Sequence, residues 1–323
     1  MATGGKRPWR MLVPLAMVLI IAISWSIYWT VASATIRKAY GNGERRLSAM
    51  GISLACDEAH WSGFPFRVER YCRAPKVSID RPGERVAISA ANLLFAVQVY
   101  EPRHAVALLD GPTVTNGLVL GEIDHGRALA SLRVWSDEQW QASIELPKVA
   151  VGNLAKAERL LAYARETGDG NADVAISAEK LEVKLADGST LPIDRLDIAA
   201  TLPKQALTEN VARYLATTGK QVSIGNVSAE QGELMLTASG AVSIDNEGYP
   251  TGRISTRISR VDLLLKMIQP AAKLSDSDVA TAKTFIGLLQ KGSGSKEVLL
   301  DVIAKDRKLY FGPFKIARLQ PLF

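Results

Sequence analysis

The sequence predicts an α+β protein: an N-terminal transmembrane helix followed by a predominantly antiparallel, curved β-sheet with a few packing helices. Three observations predict it. An uncharged stretch runs from Met11 to Ile36. Beyond it, apolar residues recur with period two over many short runs, the mark of strands with one buried face. Short polar or glycine-containing links separate those runs, as antiparallel neighbours require.

The apolar part of the first segment is Met11 to Val31. At 1.5 Å per residue it covers about 30 Å, the thickness of a bilayer core. A secretory hydrophobic region is usually only ~7–15 residues, so the length favours a retained signal-anchor. Ala32-Ser33-Ala34 has the small-x-small form of a cleavage site, which keeps a cleaved signal as the alternative. Trp9 flanks one interface, and Trp25, Tyr28 and Trp29 stand where an aromatic belt would meet the other. The expected division is a cytoplasmic tail and anchor over 1–34 and a periplasmic domain over 35–323. A further split into 35–205 and 206–323 fits the pattern.

Flanking charge is nearly balanced, with Lys6, Arg7 and Arg10 before the segment and Arg37, Lys38, Arg45 and Arg46 against Glu44 after it. The short basic tail and the long following chain place that chain outside the cytoplasm, because long domains translocate largely regardless of charge. Cys56 and Cys72 are the only cysteines, as expected of one structural disulfide in an oxidising compartment. The alternatives are free buried thiols or a metal pair, for which His60 alone lies in the interval. Half of the net charge of +6 comes from the three basic residues of the tail. Basic and acidic residues otherwise interleave, which argues against a nucleic-acid partner.

Along the chain, Thr35 to Met50 reads as helix, ending at Gly51 or broken at Gly41-Asn42-Gly43. Strand patterns follow at Val86, Ile88 and Ala90, at Phe95, Val97 and Val99, and from Val174 through Ile198. They resume at Leu234 to Ile244, at Ile254 to Ile258, and at Leu309 and Phe311. Asp187-Gly188-Ser189, Asn246-Glu247-Gly248 and Asp306-Arg307-Lys308 are the hairpin links. Helical period predicts helices over Leu154 to Arg165, Leu207 to Leu215, Val261 to Gln269, and Ser275 to Gln290, the last with acidic residues in its first turn.

No catalytic, cofactor or metal-ligand pattern emerges from the motifs. The three histidines, His60, His104 and His125, lack zinc-helix spacing. Asp57, Glu58 and His60 could unite as a hydrolase site, but a turn beside the disulfide explains them. Asp124-His125 reads as a loop tip. More distinctive is Trp61 with Gly63-Phe64-Pro65-Phe66, two aromatics around a proline that fixes φ. Together with Tyr310, Phe311 and Phe314 near the C terminus, Trp61, Phe64, Pro65 and Phe66 form the candidate apolar corner or groove. Each is explained either by core packing or by the rim of a groove.

These segments resemble the domain-of-unknown-function family 2125. The resemblance rests on Ser62-Gly63-Phe64-Pro65-Phe66-Arg67 framed by Cys56 and Cys72, and on Gly240-Ala241-Val242-Ser243-Ile244-Asp245 followed by Gly248-Tyr249-Pro250-Thr251-Gly252-Arg253. It also rests on Leu309-Tyr310-Phe311-Gly312-Pro313-Phe314. It implies a bacterial, membrane-anchored envelope protein facing the periplasm, and it supplies no catalytic residues. The architecture is also loosely similar to AsmA-like and bridge-type lipid-transfer proteins. The expected function is therefore a non-enzymatic, inner-membrane-anchored periplasmic scaffold or assembly factor with an envelope protein partner. The alternative is a lipid-binding or lipid-transfer protein that carries phospholipid acyl chains in an apolar groove. An open apolar trough favours the second, and a closed core favours the first.

Overall fold

The computed structural model describes residues 9–81, 84–116, 121–136, 139–185, 188–207, 210–268, 280, 284, 287, 297–312 and 314–323. It divides into two compact units, Met1–Leu109 with Thr115–Leu118, and Asp110–Val114 with Val119–Phe323. Strand accounts for 59% of the chain and helix for 22%, in a large antiparallel sheet that does not close. Helices can therefore cover only part of the sheet's apolar surface.

The first unit opens with one helix, α1 (Trp9–Ala49), whose 41 residues run about 60 Å. Its first half is apolar and exposed, from Leu12 to Ser24. Its second half packs on a small sheet. Ile36 is buried with Val68, Val97 and Val99, and Trp25, Trp29, Ala32, Trp61 and Phe95 surround them. The strands beneath are β1 (Ile52–Ala55), β2 (Glu58–Ser62), β3 (Arg67–Arg73), β4 (Lys76–Arg81), β5 (Glu84–Ser89), β6 (Asn92–Gln98) and β7 (Glu101–Asp110). β3 lies between β2 and β6, and β4 between β1 and β5, all antiparallel. Gly51 ends α1 with φ +75°, and a Cβ there would stand 2.2 Å from the Asp80 carbonyl oxygen, so the turn needs glycine. Cys56 and Cys72 form a disulfide with Cα atoms 5.4 Å apart, tying the β1–β2 junction to β3.

The second unit is a meander. After β8 (Thr113–Asn116) and β9 (Glu122–Asp124) come β10 (Ala128–Ser136), β11 (Gln139–Val151), β12 (Ala155–Glu166), β13 (Asn171–Lys184) and β14 (Thr190–Pro203). Then follow α2 (Val211–Thr218), β15 (Gln221–Gln231), β16 (Leu234–Ile244), β17 (Pro250–Ile258), α3 (Val261–Ile268), β18 (Val298–Lys305), β19 (Lys308–Phe311) and β20 (Phe314–Arg318). From β10 to β20 each strand pairs antiparallel with the next. The position 205/206 falls inside this unit, where β14 and β15 pair directly. α2 is capped by the Asn210 side chain, which accepts from the Arg213 amide at 3.1 Å, and by left-handed Gly219.

Two helix expectations need correction. Leu154 to Arg165 is not a helix but strand β12. Its Ala, Leu, Glu, Lys and Arg content favours helix, yet it is paired along both edges, to β11 and to β13. Sheet context outweighs an intrinsic preference of a few tenths of a kcal/mol per residue. Of the two ends expected for the Thr35–Met50 helix, the one at Gly51 holds, since α1 continues through Gly41-Asn42-Gly43 to Ala49. The Leu207–Leu215 helix is a 3₁₀ turn at Lys204–Leu207 and then α2 from Val211. The expected Ser275–Gln290 helix lies outside the described residues except for 280, 284 and 287, as do Asp187, Gln269, Pro270 and Pro313.

Opening the disulfide lengthens the unfolded chain's freedom over a separation of 16 residues. Cys56→Ser should therefore lower the first unit's unfolding free energy by about 3 kcal/mol, measured by denaturant titration of the intact chain. A loss below about 1 kcal/mol would contradict it.

Candidate functional site

Strict alternation gives the meander of the second unit two unlike faces. Directly opposed residues in an antiparallel pair share a face, so rows can be traced across the strands. One runs Ala130, Ile144, Ala162, Ile176, Ile198, Val227, Ala238, Thr256, Leu300 across nine strands. Thr256 is its one polar member, and its hydroxyl is spent on the Leu300 carbonyl at 2.5 Å. A parallel row leads from Leu132 through Ala142, Ala164, Val174 and Ala200 to Ile254 and Val302. A third leads from Leu146 through Leu160, Ala178 and Leu196 to Ile258 and Val298. The bulge between Ile224 and Val227 keeps both of those residues on this face.

The opposite face carries charge. Arg159 donates to Glu145 at 2.8 Å, Arg165 to Asp173 at 2.9 Å, and Ser255 to Asp301 at 2.8 Å, each across neighbouring strands. Arg195 pairs along its own strand with Asp197 at 2.7 Å. The Thr201 hydroxyl and then Arg165 hold the Asp173 carboxyl below the usual range, and Arg195 does the same for Asp197. At the β12–β13 turn, hydrogen bonds from Thr167 and Asn171 bring Asp169 down to about 2.

Among the described residues, helices pack on the apolar face at β15–β18. α3 places Val261 and Leu265 on Leu234, Ile258 and Val298 at one end. α2 places Leu215 and Ala216 on Ile244 at the other. Over β10–β13 the same face stays open among the described residues, with Leu132 44%, Ile144 47% and Ile176 43% exposed. The residues between them are small, Ala142, Ala162 and Ala164, so the large side chains flank a corrugated trough. At ~4.8 Å between strands, the longest row extends about 38 Å along the sheet.

The predicted corner lies in the first unit, on α1. Phe64 packs edge-on against Trp29 at 5.2 Å, and Phe66 lies tilted against Trp25 at 5.9 Å. The Trp25 indole N–H donates to the Pro65 carbonyl at 3.0 Å, and that of Trp29 to the Arg67 carbonyl at 3.1 Å. Gly63, at φ +110°, makes the corner possible, since a Cβ there would lie 2.5 Å from the Arg67 carbonyl oxygen. Trp61 lies further along the helix and packs edge-on against Tyr40 at 5.4 Å. Arg70 inserts its guanidinium over Tyr40 at 4.6 Å and Trp61 at 5.5 Å. Burial pushes the Tyr40 hydroxyl up, with Arg70 opposing and Glu44 adding.

Tyr310 is half-buried on β19, opposite Ile303. Phe311 and Phe314 oppose each other in the β19–β20 register, and their side chains lie outside the described residues. The C-terminal aromatics thus belong to the meander, and Trp61, Phe64, Pro65 and Phe66 to the α1 docking surface. Asp57, Glu58 and His60 are neighbours in sequence but are engaged separately. Asp57 lies 3.8 Å from Lys76, Glu58 takes Arg73 at 2.6 Å, and His60 stacks on Tyr71 at 5.2 Å. Both ring nitrogens of His125 are occupied, by Thr113 Oγ1 at 2.7 Å and the Gly126 carbonyl at 2.5 Å, which fastens β8 to the loop after β9.

The residues that the sequence reading missed are those of β11 and β12 in the trough and the Tyr40–Arg70 contact. For Leu160, Ala162 and Ala164 the signal was a period-two pattern hidden by helix-forming residues. For Arg70 no local signal exists, because its partners come from α1 and β2.

Because each charged-face carboxyl binds its proton less readily folded than unfolded, its contribution is present above the ordinary value of 3.8 and lost as pH falls. The second unit's thermal midpoint should thus be flat above pH ~5 and drop between pH ~4 and ~2. A midpoint unchanged down to pH ~2 would contradict the charged-face assignment.

A family model described as "Uncharacterized protein conserved in bacteria (DUF2125)" matches residues 29–320. No curated protein and no solved structure matches the chain, so likeness to AsmA-like proteins rests on sequence pattern alone. The match runs from the far end of the apolar segment to the last strand, and the chain belongs to this bacterial family.

Proposed function

We propose that this chain is a non-enzymatic, inner-membrane-anchored periplasmic protein that binds the acyl chains of phospholipid on the apolar face of its meander. One observation carries the reading: apolar rows continue unbroken across the strands, yet large residues at their β10–β13 end stand more than two-fifths exposed. A face meant only as core would be covered along its length, because uncovered apolar surface costs ~25 cal/mol per Å². Of the two helices expected to close that face, the one over 154–165 is itself a strand, and the one over 275–290 lies outside the described residues apart from 280, 284 and 287. The open β10–β13 end spans about 14 Å at ~4.8 Å between strands, close to the ~15 Å half-thickness that one acyl chain fills in a bilayer.

The anchor reading is supported by α1, which is long and apolar enough to cross a membrane. An oxidising location is supported by the Cys56–Cys72 disulfide. Binding is passive in this account, each methylene removed from water contributing ~0.8 kcal/mol. Selectivity for chain length would follow from the spacing of Ile and Ala along the rows.

Native mass spectrometry of the protein, extracted and then stripped of detergent, tests the reading. Phospholipid at fixed stoichiometry is expected on the parent chain. Ile144→Glu and Ile176→Glu should each reduce it roughly tenfold or more, since each removes about 1.5–3 kcal/mol of apolar contact. Leu299→Glu, at a residue 66% exposed on the charged face, should leave it unchanged. A lipid-free parent would overturn lipid binding and turn attention to an envelope protein as the occupant of the face, the scaffold role expected from the sequence.

A further inference from the structure

We propose that the Gly63–Arg67 corner is a second membrane contact, with Phe64, Phe66 and Tyr100 seated in the headgroup–acyl boundary of the bilayer that α1 crosses. The inference rests on the anchor reading of α1 and on three separate observations.

The first is height. A hydrocarbon core of ~30 Å takes about 20 helical residues. Counted from the first residue after Arg10, it ends close to Thr30. Trp25 and Trp29, which touch Phe66 and Phe64, lie within about two turns of that edge. Groups in contact with them sit roughly 0–10 Å below it, the depth reached by interfacial elements. Tyr100 is at the same level, because the hydroxyl of Tyr28 donates to the carbonyl of the adjoining Val99 at 2.8 Å.

The second is sidedness. Among the described residues from 52 to 109, the large hydrophobic side chains left exposed are Phe64, Phe66 and Tyr100, at 59%, 60% and 61%. Phe64 and Phe66 touch the one short stretch of α1 that carries Trp25, Tyr28 and Trp29, and Tyr100 adjoins the Val99 carbonyl that this stretch binds. An aromatic patch on one side of an otherwise ordinary surface marks a contact. Exposed Arg37 and Lys38 follow two turns further along α1, and Arg67 closes the corner with its side chain 62% exposed. Aromatic groups below and basic groups above match the depth profile of a lipid interface.

The third is hydrogen-bond satisfaction. A loop entering lipid cannot leave its carbonyls to water. Here the Gly63 carbonyl accepts from the Arg67 amide at 3.0 Å and that of Phe66 from the Val99 amide at 3.1 Å. Those of Pro65 and Arg67 accept from the indoles of α1. The two tryptophans thus serve the loop rather than water or headgroups. Ser26 and Thr30 likewise return their hydroxyls to helix carbonyls at 2.8 Å.

The test uses the full chain in vesicles of phosphatidylethanolamine and phosphatidylglycerol, with one nitroxide label at a time on Phe64→Cys, Phe66→Cys, Tyr100→Cys, Ile20→Cys or Ser53→Cys. Each label replaces an exposed side chain; those at Phe64 and Phe66 give up a ring contact with Trp29 and Trp25 but no member of the buried Ile36, Val68, Val97 and Val99 cluster. Collision with oxygen, which concentrates in lipid, is compared with collision with a water-soluble nickel chelate. Oxygen should dominate at Ile20 and at the three aromatic positions, and nickel at Ser53, which lies beyond the far end of α1. Oxygen at Ile20 but nickel at Phe64, Phe66 and Tyr100 would overturn the second contact while leaving the anchor intact. Nickel at Ile20 would overturn both.

Discussion

Register is the constraint on which the second unit depends. Because strand side chains alternate, a slip of one residue between any two neighbours would carry Arg159, Arg165 or Asp173 onto the apolar face. Isolated surface ion pairs contribute little free energy, typically under ~1 kcal/mol. The Arg159–Glu145 and Arg165–Asp173 pairs matter more as a pattern, since they are satisfied in one register only. The apolar rows add the same instruction from the other side. The bulge between Ile224 and Val227 shows the instruction being obeyed, since an irregular strand returns its apolar residues to the same face.

The first unit is organised by a different device, a helix long and apolar enough to cross a membrane that is also a core element. Ile36 completes the small hydrophobic cluster that Val68, Val97 and Val99 begin, so the sheet there has no closed core without α1. A helix that merely tethered a domain would be expected to end in a linker. Here it runs without interruption from the apolar segment to Ala49, and Gly51 turns the chain directly into β1. Movement of the helix relative to this small sheet would therefore break packing, two indole hydrogen bonds and the Arg70 contact with Tyr40. The apolar helix and the first sheet thus share one hydrophobic cluster.

Much of this fold was legible in the sequence. The apolar segment, the disulfide, and the hairpins around Asn246-Glu247-Gly248 and Asp306-Arg307-Lys308 follow from local chemistry. Strand β12 did not, because Leu160, Ala162 and Ala164 are good helix formers and only their two neighbours make them a strand. The same failure hid the open trough, whose β10–β13 end depends on β12 lying flat in the sheet. Phe64, Pro65 and Phe66 were legible as a rigid apolar corner. Their contact with Trp25 and Trp29 was not, because it joins residues about forty positions apart. The tryptophans read as an aromatic belt from the sequence, and the structure adds that they are bound to backbone carbonyls of the corner.

The most direct test of the two-faced sheet is photolabelling with a phospholipid carrying a diazirine on its acyl chain. The intact chain is labelled in membranes and the modified peptides are mapped by mass spectrometry. The account predicts adducts on Ile144, Ala162, Ile176 and Ile198 and their neighbours in the apolar rows, with the charged-face residues Arg159, Tyr163 and Arg165 unlabelled. Adducts spread equally over both faces, or confined to α1, would contradict the claim that the meander presents an apolar face to lipid.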